Sequence, residues 1–385
     1  MKRKIMTNYK INKNKLRKEI IDHILSQGFK INPHVRPAED TKDYYREVHQ
    51  KSKLEEINIH RNFLMRNLKI TKKYSISGSE IDPKKIELEL REVTPNSLEV
   101  KLFLWWNIVW WSLPYVKSIG RQMRFLLWDV YHDAPFGLIG LQSAPLSQRI
   151  RDEYLGIKKE GKDYWVNMSM YAQRVGALPP YNELLGGKMV ASALVSNEIR
   201  DRYREKYENV KTIMKKRKLP ADLMFITTTS AFGKGSMYDR LTYDGDRINK
   251  FLGYTQGSGT FHISEDLYRK MVSFLEEKEV NTKRGYGTGP SRKLKLIDSA
   301  LKKLGIPKYT YHNIKRGFYL FPLVKNIKEV IEKGEEPLWR DTSFTEIFEH
   351  WQKRWALPRA KRIQKWKILN SDDYINKIEK HLISS

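Results

Sequence analysis

The stretch Gly176–Tyr207, GALPPYNELLGGKMVASALVSNEIRDRYREKY, sets the architecture predicted for the centre of the chain. Its two consecutive prolines break any preceding regular element. Apolar residues then recur at helical spacing as far as Tyr203, which predicts one long helix. Gly186, Gly187 and Lys188 lie at its start, where free backbone N–H groups beside a lysine predict a phosphate- or cofactor-binding site. The alternative is that the glycines only allow the helix to pack closely on a strand.

The charge balance of the chain is strongly basic. Among 385 residues there are 72 lysines and arginines against 45 aspartates and glutamates, a formal net charge of +27. A charge of this sign and size predicts a polyanionic partner, most simply DNA or RNA. The alternative is compositional, because an AT-rich genome also enriches lysine, isoleucine and asparagine.

Cysteine and long apolar runs are both missing from the sequence. The lack of cysteine excludes disulfides and cysteine-based zinc sites, and it fits a reducing compartment. The longest apolar passage, Leu102 to Trp111, is interrupted by Asn107 and is too short for a bilayer span of about 20 residues. Because no signal peptide is evident either, we expect a cytoplasmic protein without membrane contact.

Changes in periodicity predict an α/β (α+β) fold with a mixed central sheet. Residues 1–112 are predicted to form an N-terminal helical extension with one strand, and residues 113–264 a mixed α/β core. Residues 265–385 are predicted to be a basic C-terminal helical region. Within the core, residues 164–176 are expected to form one strand and residues 251–263 a strand pair.

The predicted order of elements in the core resembles that of the GNAT N-acetyltransferases. That resemblance implies that the start of the long helix receives a cofactor and that a tyrosine after the next strand acts as the general acid. Tyr238 stands at this position, and Thr229 and Ser230 would line the cleft. The glycine loop of that family has only an echo here, in residues 173–177, which precede the prolines.

A basic region after the core is the predicted nucleic-acid surface. Between Asn281 and Leu320, ten basic residues stand against the single acidic residue Asp298. A glycine-rich loop there offers backbone N–H groups and cations to phosphates, and its tyrosine is placed to stack on a base; the alternative is a flexible surface loop. The residues predicted to contact nucleic acid are Arg121, Arg124, Lys234, Lys283, Arg284, Tyr286, Arg292, Lys293, Lys315 and Arg316.

Seven segments between about Gly120 and Pro322 stand in a recognisable order. They are GRQMRFLLWD, RDEYLGI, GALPPYNELLGGKMVASALVS, ITTTSAFGKGSMYDRL, GYTQGSGTFHI, GYGTGPSRKLKLIDSALKKLG and HNIKRGFYLFPL. In this order they resemble the DruA family, whose namesake belongs to the bacterial Druantia anti-phage system. The resemblance implies a role in phage defence beside other defence-system proteins. An aspartate expected before the LGA–PPY segment is replaced in this neighbourhood by Tyr171, which implies binding without reaction if that carboxylate is needed.

Three functions stay open from the sequence. The first is a nucleic-acid-binding defence component without a reaction of its own, and the second is a GNAT-like transferase that modifies nucleic acid with Tyr238 as proton donor. The third is a metal-dependent nuclease or transposase. The histidines at 132, 262 and 312 of this chain stand apart in the sequence, so they predict no histidine–metal site. The sequence assigns no cofactor, metal or oligomeric state. The carboxylates considered for catalysis are Asp129, Asp152, Glu183 and Asp239.

Overall fold

The computed structural model describes residues 12–31, 34–212, 215–283, 292–306 and 308–384. The α-helices are α1 Lys13–Ser26, α2 Lys42–Ile59, α3 Arg61–Arg66, α4 Leu68–Lys73, α5 Leu98–Val109, α6 Arg149–Tyr154, α7 Lys162–Asn167, α8 Gly186–Ser192, α9 Asn197–Tyr207, α10 Glu265–Glu277, α11 Arg292–Lys303, α12 Ile327–Lys333, α13 Phe344–Trp351, α14 Leu357–Arg362 and α15 Ser371–Ser384. The strands are β1 Phe29–Ile31, β2 Val35–Pro37, β3 Leu88–Glu92, β4 Gln122–Asp129, β5 Ala134–Ser143, β6 Ser169–Ala177, β7 Phe225–Thr229, β8 Thr242–Tyr243, β9 Asp246–Arg247, β10 Lys250–Tyr254 and β11 Gly317–Pro322.

The chain forms two compact units, which we call the helical unit and the sheet unit. The three-part division drawn from the sequence stays a prediction. The helical unit comprises Met1–Glu55, Ser112–Pro114 and Thr255–Lys315, and the sheet unit comprises Glu56–Trp111, Tyr115–Tyr254 and Arg316–Ser385.

The helical unit contains α1, the β1–β2 hairpin, α10 and α11. Leu16, Ile20 and Ile24 form the buried side of α1, and the Asn12 side chain caps its first turn by accepting from two backbone N–H groups. Helices α10 and α11 are amphipathic and pack against each other. All three helices thus bury one apolar side within this unit.

The sheet unit is built on a seven-stranded sheet with the order β10-β11-β7-β6-β5-β4-β3. Neighbouring strands in it are antiparallel except β6 and β7, which run parallel. A parallel pair needs a crossover connection, which the segment with α8 and α9 supplies between these two strands. The mixed α/β class predicted from the sequence is thus confirmed, whereas the likeness to the N-acetyltransferase layout stays a prediction.

The long helix predicted between residues 184 and 203 is wrong, because it is broken twice. A 3₁₀ turn at Tyr181–Leu184 ends at Leu185, whose left-handed backbone (φ 60°) starts α8 as a new helix. Ser196 then adopts an extended conformation (φ −72°, ψ 151°) that separates α9 from the preceding turn. The apolar spacing continues through both breaks because every piece buries its side chains in the same core.

Two further predictions in the core need correction. Residues 162–167 form α7, so the strand predicted over residues 164–176 begins only at Ser169. Residues 251–263 give one strand, β10, rather than a pair. The apolar residues after β10 are used in tertiary packing, since Phe261 stacks on His49 with ring centroids 3.9 Å apart in the helical unit. Among the described residues, no helix combines the length and apolarity that crossing a membrane takes.

Candidate anion-binding sites

Other residues of the chain pack against the glycine–lysine segment at the start of α8, where a phosphate site was predicted. A Cβ atom built at Gly186 would lie 2.7 Å from the Tyr181 carbonyl oxygen and 2.9 Å from the Phe136 ring, so this glycine allows α8 to pack on the sheet. Lys188 is buried, and its ammonium group donates to the carbonyl oxygens of Ser236 and Asp239.

The Lys188 ammonium also lies 4.6 Å from the centre of the Trp355 ring, and burial lowers the pKa of Lys188. A Cβ atom on Gly187 would meet only Met237, at an ordinary contact distance of 3.5 Å. The contacts of Lys188 therefore favour a packing role for this segment, and phosphate binding by Gly186, Gly187 and Lys188 stays a prediction that we do not extend.

Tyr238, the predicted general acid, is a buried aromatic residue. Its ring centre lies 4.5 Å from that of Tyr319 and 5.9 Å from that of Phe321. Burial raises the pKa of Tyr238, and a hydrogen bond with the Thr228 side chain partly opposes the shift. A phenol with a raised pKa gives up its proton less readily. This environment is therefore typical of a packing residue rather than of a general acid.

The two hydroxyl residues predicted beside Tyr238 take different roles. The Ser230 hydroxyl accepts from the Gly317 N–H (2.8 Å) and donates to the Gly233 carbonyl, which fastens the loop after β7 to the start of β11. Thr229 is half-buried, and its Oγ1 lies 2.8 Å from the Tyr171 hydroxyl oxygen. Thr229 is therefore the one of the two that reaches solvent.

Asp152, the catalytic carboxylate named from the sequence, belongs to a buried ion-pair network. Its Oδ1 accepts two hydrogen bonds from the Arg151 guanidinium, at 2.8 and 2.6 Å. Its Oδ2 accepts from the Lys162 ammonium at 2.8 Å and from the Gln148 N–H at 3.1 Å. The Arg151 side chain is fully buried and also donates to two backbone carbonyls. Both oxygens of Asp152 are thus engaged in holding the segment around α6.

The other candidate carboxylates and histidines form no metal centre in the described residues, where no group of three or more metal-ligating side chains converges. Asp129 is buried, and its Oδ2 accepts from the Tyr181 hydroxyl (2.8 Å) and lies 2.7 Å from His132 Nδ1. His262 and His312 do not stand apart as the sequence suggested, because their ring centres lie 5.7 Å from each other. Burial lowers the pKa of His262 to about 4, so this imidazole is neutral at pH 7.

Two arginines predicted to bind nucleic acid from β4 and its approach lie against aromatic rings. The Arg121 guanidinium donates to the Tyr203 hydroxyl and lies 5.3 Å from the centre of that ring. Arg124 donates to the Gln122 side chain at 2.5 Å and lies 5.9 Å from the centre of the Phe103 ring. Both side chains are half-buried, and both already have the intramolecular partners described above.

Within the predicted basic surface, α11 carries a cluster of exposed cations on one side. Leu296, Ile297, Ala300 and Leu301 face the interior, which leaves the opposite side to solvent. We call that side the basic α11 face, and its exposed cations are Arg292, Lys295, Lys302 and Lys303.

The other predicted nucleic-acid residues lie outside this face or outside the described chain. Lys293 pairs with Glu265 at 2.9 Å, and Lys234 is exposed with its ammonium 4.5 Å from the centre of the Phe251 ring. Lys283 and Lys315 are exposed, and Arg316 is half-buried at the start of β11. Arg284 and Tyr286 lie outside the described residues.

A second basic segment received little weight in the sequence reading. Seven cations and no carboxylate occur between residues 353 and 367 of the sheet unit. Two of these cations pair with carboxylates, Lys353 with Glu349 at 3.5 Å and Lys365 with Glu183 at 3.7 Å. Arg354 and Lys367 instead lie over tryptophan rings. The signal was present in the sequence as WQKRWALPRAKRIQKWK, a run of tryptophans and cations.

A further group of polar residues lies where the parallel pairing of β6 with β7 ends. We call it the two-arginine site, and its members are Tyr171, Arg174, Thr227, Thr229 and Arg316. Arg174 is buried and donates to the Asn107 side chain of α5 and to the backbone carbonyl of Gln173. Tyr171, Thr229 and Arg316 are half-buried, so the site is open to solvent at one end. Sequence reasoning named Tyr171, Thr229 and Arg316 separately and gave no site role to Arg174 or Thr227.

Comparison with known proteins gives the chain its family. The family described as "Druantia protein DruA" matches residues 39–333, more than half of the chain. A curated protein named "Druantia protein DruA" from Escherichia coli (strain UMEA 4076-1) is 31% identical over 382 residues, which cover 97% of this chain and 94% of that protein. No solved structure matches the chain significantly. The chain therefore belongs to the DruA family of anti-phage defence proteins.

Proposed function

We propose that this DruA-family protein binds nucleic acid during anti-phage defence, and that the basic α11 face makes the contact. The observation that carries the proposal is the arrangement of Arg292, Lys295, Lys302 and Lys303 on one side of a rigid helix. At 100° per residue they fall within one third of the helix circumference, and they extend over about 16 Å along its axis. Such a stripe of cations matches the closely spaced phosphates of a nucleic-acid backbone.

The state of these four side chains also supports binding. Within the described ranges none of them makes an ion pair, unlike their neighbour Lys293, which is paired with Glu265. An unpaired exposed cation can neutralise a phosphate, and the counterions condensed on the nucleic acid are then released to bulk solvent, which favours association. The segment 353–367 is the weaker candidate, since two of its cations are paired and two lie on tryptophan rings.

The proposal places the protein in the bacterial cytoplasm beside other proteins of its defence system. Contacts to phosphate carry no sequence information, so we expect affinity for many sequences rather than for one site. No reaction of the protein itself is needed for this role.

A salt titration tests the proposed function. Fluorescence anisotropy with a labelled 20-base-pair duplex, and with single-stranded RNA of the same sequence, gives Kd between 50 and 200 mM NaCl. Four phosphate contacts predict a slope of about −3.6 for log affinity against log salt, a loss of about 10²-fold over this range. Affinity that does not change with salt for either probe, or no binding of either at 50 mM, would contradict the proposal.

A further inference from the structure

The side chains of the two-arginine site share one face of the sheet because of a β-bulge. In the pairing of β5 with β6, Gly140 lies opposite Arg174 and Leu141 opposite Ala172, so Gln173 is an extra residue. Before the bulge, Ala172 points into the main core and Tyr171 away from it. After the bulge, Val175 points into that core, so Arg174 lies on the same face as Tyr171. Bulges of this kind often re-aim a side chain at a functional site.

The register of the neighbouring strands adds the other members to that face. Tyr171 lies directly opposite Thr227 of β7, and Thr229 follows two residues later on the same side. Phe318 of β11 is opposite Thr229, and continued alternation places Arg316 on this side as well. The Gly233–Arg316 bridge and the Gly317 N–H bond to the Gly233 carbonyl (2.7 Å) hold the start of β11 in this position. Five donor-bearing side chains, from β6, from β7 and from the residue before β11, therefore share one face of the sheet.

Charge at the site is positive and partly removed from water. Arg174 is 4% exposed. The pKa of Arg174 is lowered to about 10, mainly by burial and in small part by the Arg316 guanidinium, while Tyr171 and Tyr115 oppose the shift. Burial likewise lowers the pKa of Arg316. With a pKa of about 10, Arg174 remains protonated at neutral pH, and it interacts electrostatically with the Arg316 guanidinium.

One hydroxyl in the site is buried without a hydrogen-bond partner among the described residues. Thr227 is fully buried, and in the part of the chain that the structure describes its Oγ1 has no hydrogen-bond partner. Leaving a buried polar group without a partner is unfavourable, so such groups are uncommon unless water or a ligand supplies the hydrogen bond. The Thr227 hydroxyl lies between Tyr171 and Leu320 in the sheet, on the face that carries both arginines.

We propose that the two-arginine site binds the phosphate group of a small ligand, with Arg174 and Arg316 as its charged donors and Tyr171, Thr227 and Thr229 as its hydroxyl donors. Two planar guanidinium groups suit a tetrahedral oxyanion because each presents paired N–H donors. A bound phosphate neutralises the two adjacent positive charges and accepts a hydrogen bond from the Thr227 hydroxyl. The shared chemistry is a phosphate or phosphate monoester, whether it comes as free phosphate or at the end of a nucleotide.

The site is independent of the proposed nucleic-acid contact. It belongs to the sheet unit, whereas the basic α11 face belongs to the helical unit. Loss of binding at one of them leaves the other proposal in place, provided that each is measured with its own probe.

Isothermal titration calorimetry with inorganic phosphate, ATP and adenosine tests this inference on the full chain. We expect phosphate, ATP or both to bind and adenosine not to bind. Binding of both phosphate and ATP identifies the phosphate group itself as the determinant, and binding of ATP alone identifies the nucleotide as the source. The inference is overturned if neither phosphate-bearing probe binds, or if adenosine binds as tightly as ATP.

Variants assign the binding to these residues. Arg316→Gln and Arg174→Gln are each expected to raise Kd for the bound probe at least tenfold, since a charge-assisted hydrogen bond is lost. Thr227→Val keeps the shape of the side chain and is expected to raise Kd several-fold, which tests the site even if Arg174→Gln fails to fold. Arg269→Gln removes one exposed charge from α10 and serves as the matched control, with unchanged Kd expected. Unchanged Kd in both Arg316→Gln and Thr227→Val would overturn the assignment.

Discussion

Replacing Lys295, Lys302 and Lys303 together by glutamine is expected to weaken nucleic-acid binding by about 10²-fold or more at 100 mM NaCl. Each lysine that neutralises a phosphate releases roughly 0.9 of a counterion, so the triple variant should lower the salt slope by about 2.7. The glutamines are good helix formers and the three positions are exposed, so the fold should stay unchanged within about 0.5 kcal/mol. Fluorescence anisotropy across a salt series measures both quantities.

The matched control removes the same charge elsewhere. Lys84, Lys158 and Lys159 are exposed lysines of the sheet unit that make no ion pair among the described residues. Their triple replacement by glutamine lowers the net charge equally, and we expect less than a fivefold change in Kd. Equal losses in the two triple variants would mean that binding follows net charge rather than the basic α11 face. An unchanged Kd in the α11 variant would remove that face from the account.

Asp152→Ala is expected to lower the free energy of unfolding by about 3–5 kcal/mol, because it leaves the fully buried Arg151 guanidinium without its carboxylate. The loss of the Lys162 and Gln148 hydrogen bonds adds to the effect. Urea denaturation at pH 7, followed by circular dichroism, measures the change.

Neighbouring residues supply the comparison for Asp152. Glu153→Ala breaks an exposed pair with Arg149, in which the side chains are 76% and 64% exposed, and should cost less than about 1 kcal/mol. Removing both partners in Arg151→Met with Asp152→Leu should recover most of the stability that Asp152→Ala loses. If Asp152→Ala proves as stable as the unaltered protein, the structural role is wrong and the catalytic reading of this carboxylate regains support.

Local sequence signals predicted the elements that depend on neighbouring residues. Ser97 is a typical N-cap residue, and its side chain accepts from the Val100 N–H at the start of α5. Alternating apolar and charged residues before it form β3, and a short turn joins β4 to β5. These signals act over two to four residues, so they can be read without knowledge of the tertiary fold.

The errors arise where tertiary packing decides the local conformation. The breaks at Leu185 and Ser196 leave the apolar spacing intact, so periodicity alone predicts a continuous helix. Nothing in the sequence says that Leu185 adopts a left-handed backbone, which a non-glycine residue takes up only when its surroundings impose it.

The two-arginine site was hidden by the bulge in β6. Simple alternation places Tyr171 and Arg174 on opposite faces of a strand, because they are three residues apart. The extra residue Gln173 reverses that assignment. The pairing of Asp152 with Arg151 could not be read from the sequence either, because adjacent residues of a helix do not ordinarily face each other. A carboxylate in a sequence does not show whether its oxygens are free.

Photocrosslinking from position 299 tests the central claim most directly. Ser299 lies between Lys295 and Lys302 on the basic α11 face, so a photoreactive phenylalanine analogue there is next to any bound phosphate backbone. After irradiation with labelled duplex DNA or RNA, we predict a covalent protein–nucleic acid adduct from position 299 and none from the same analogue at Lys158. Binding that persists without any adduct from position 299, or with an equal adduct from position 158, would contradict the assignment of nucleic-acid contact to α11.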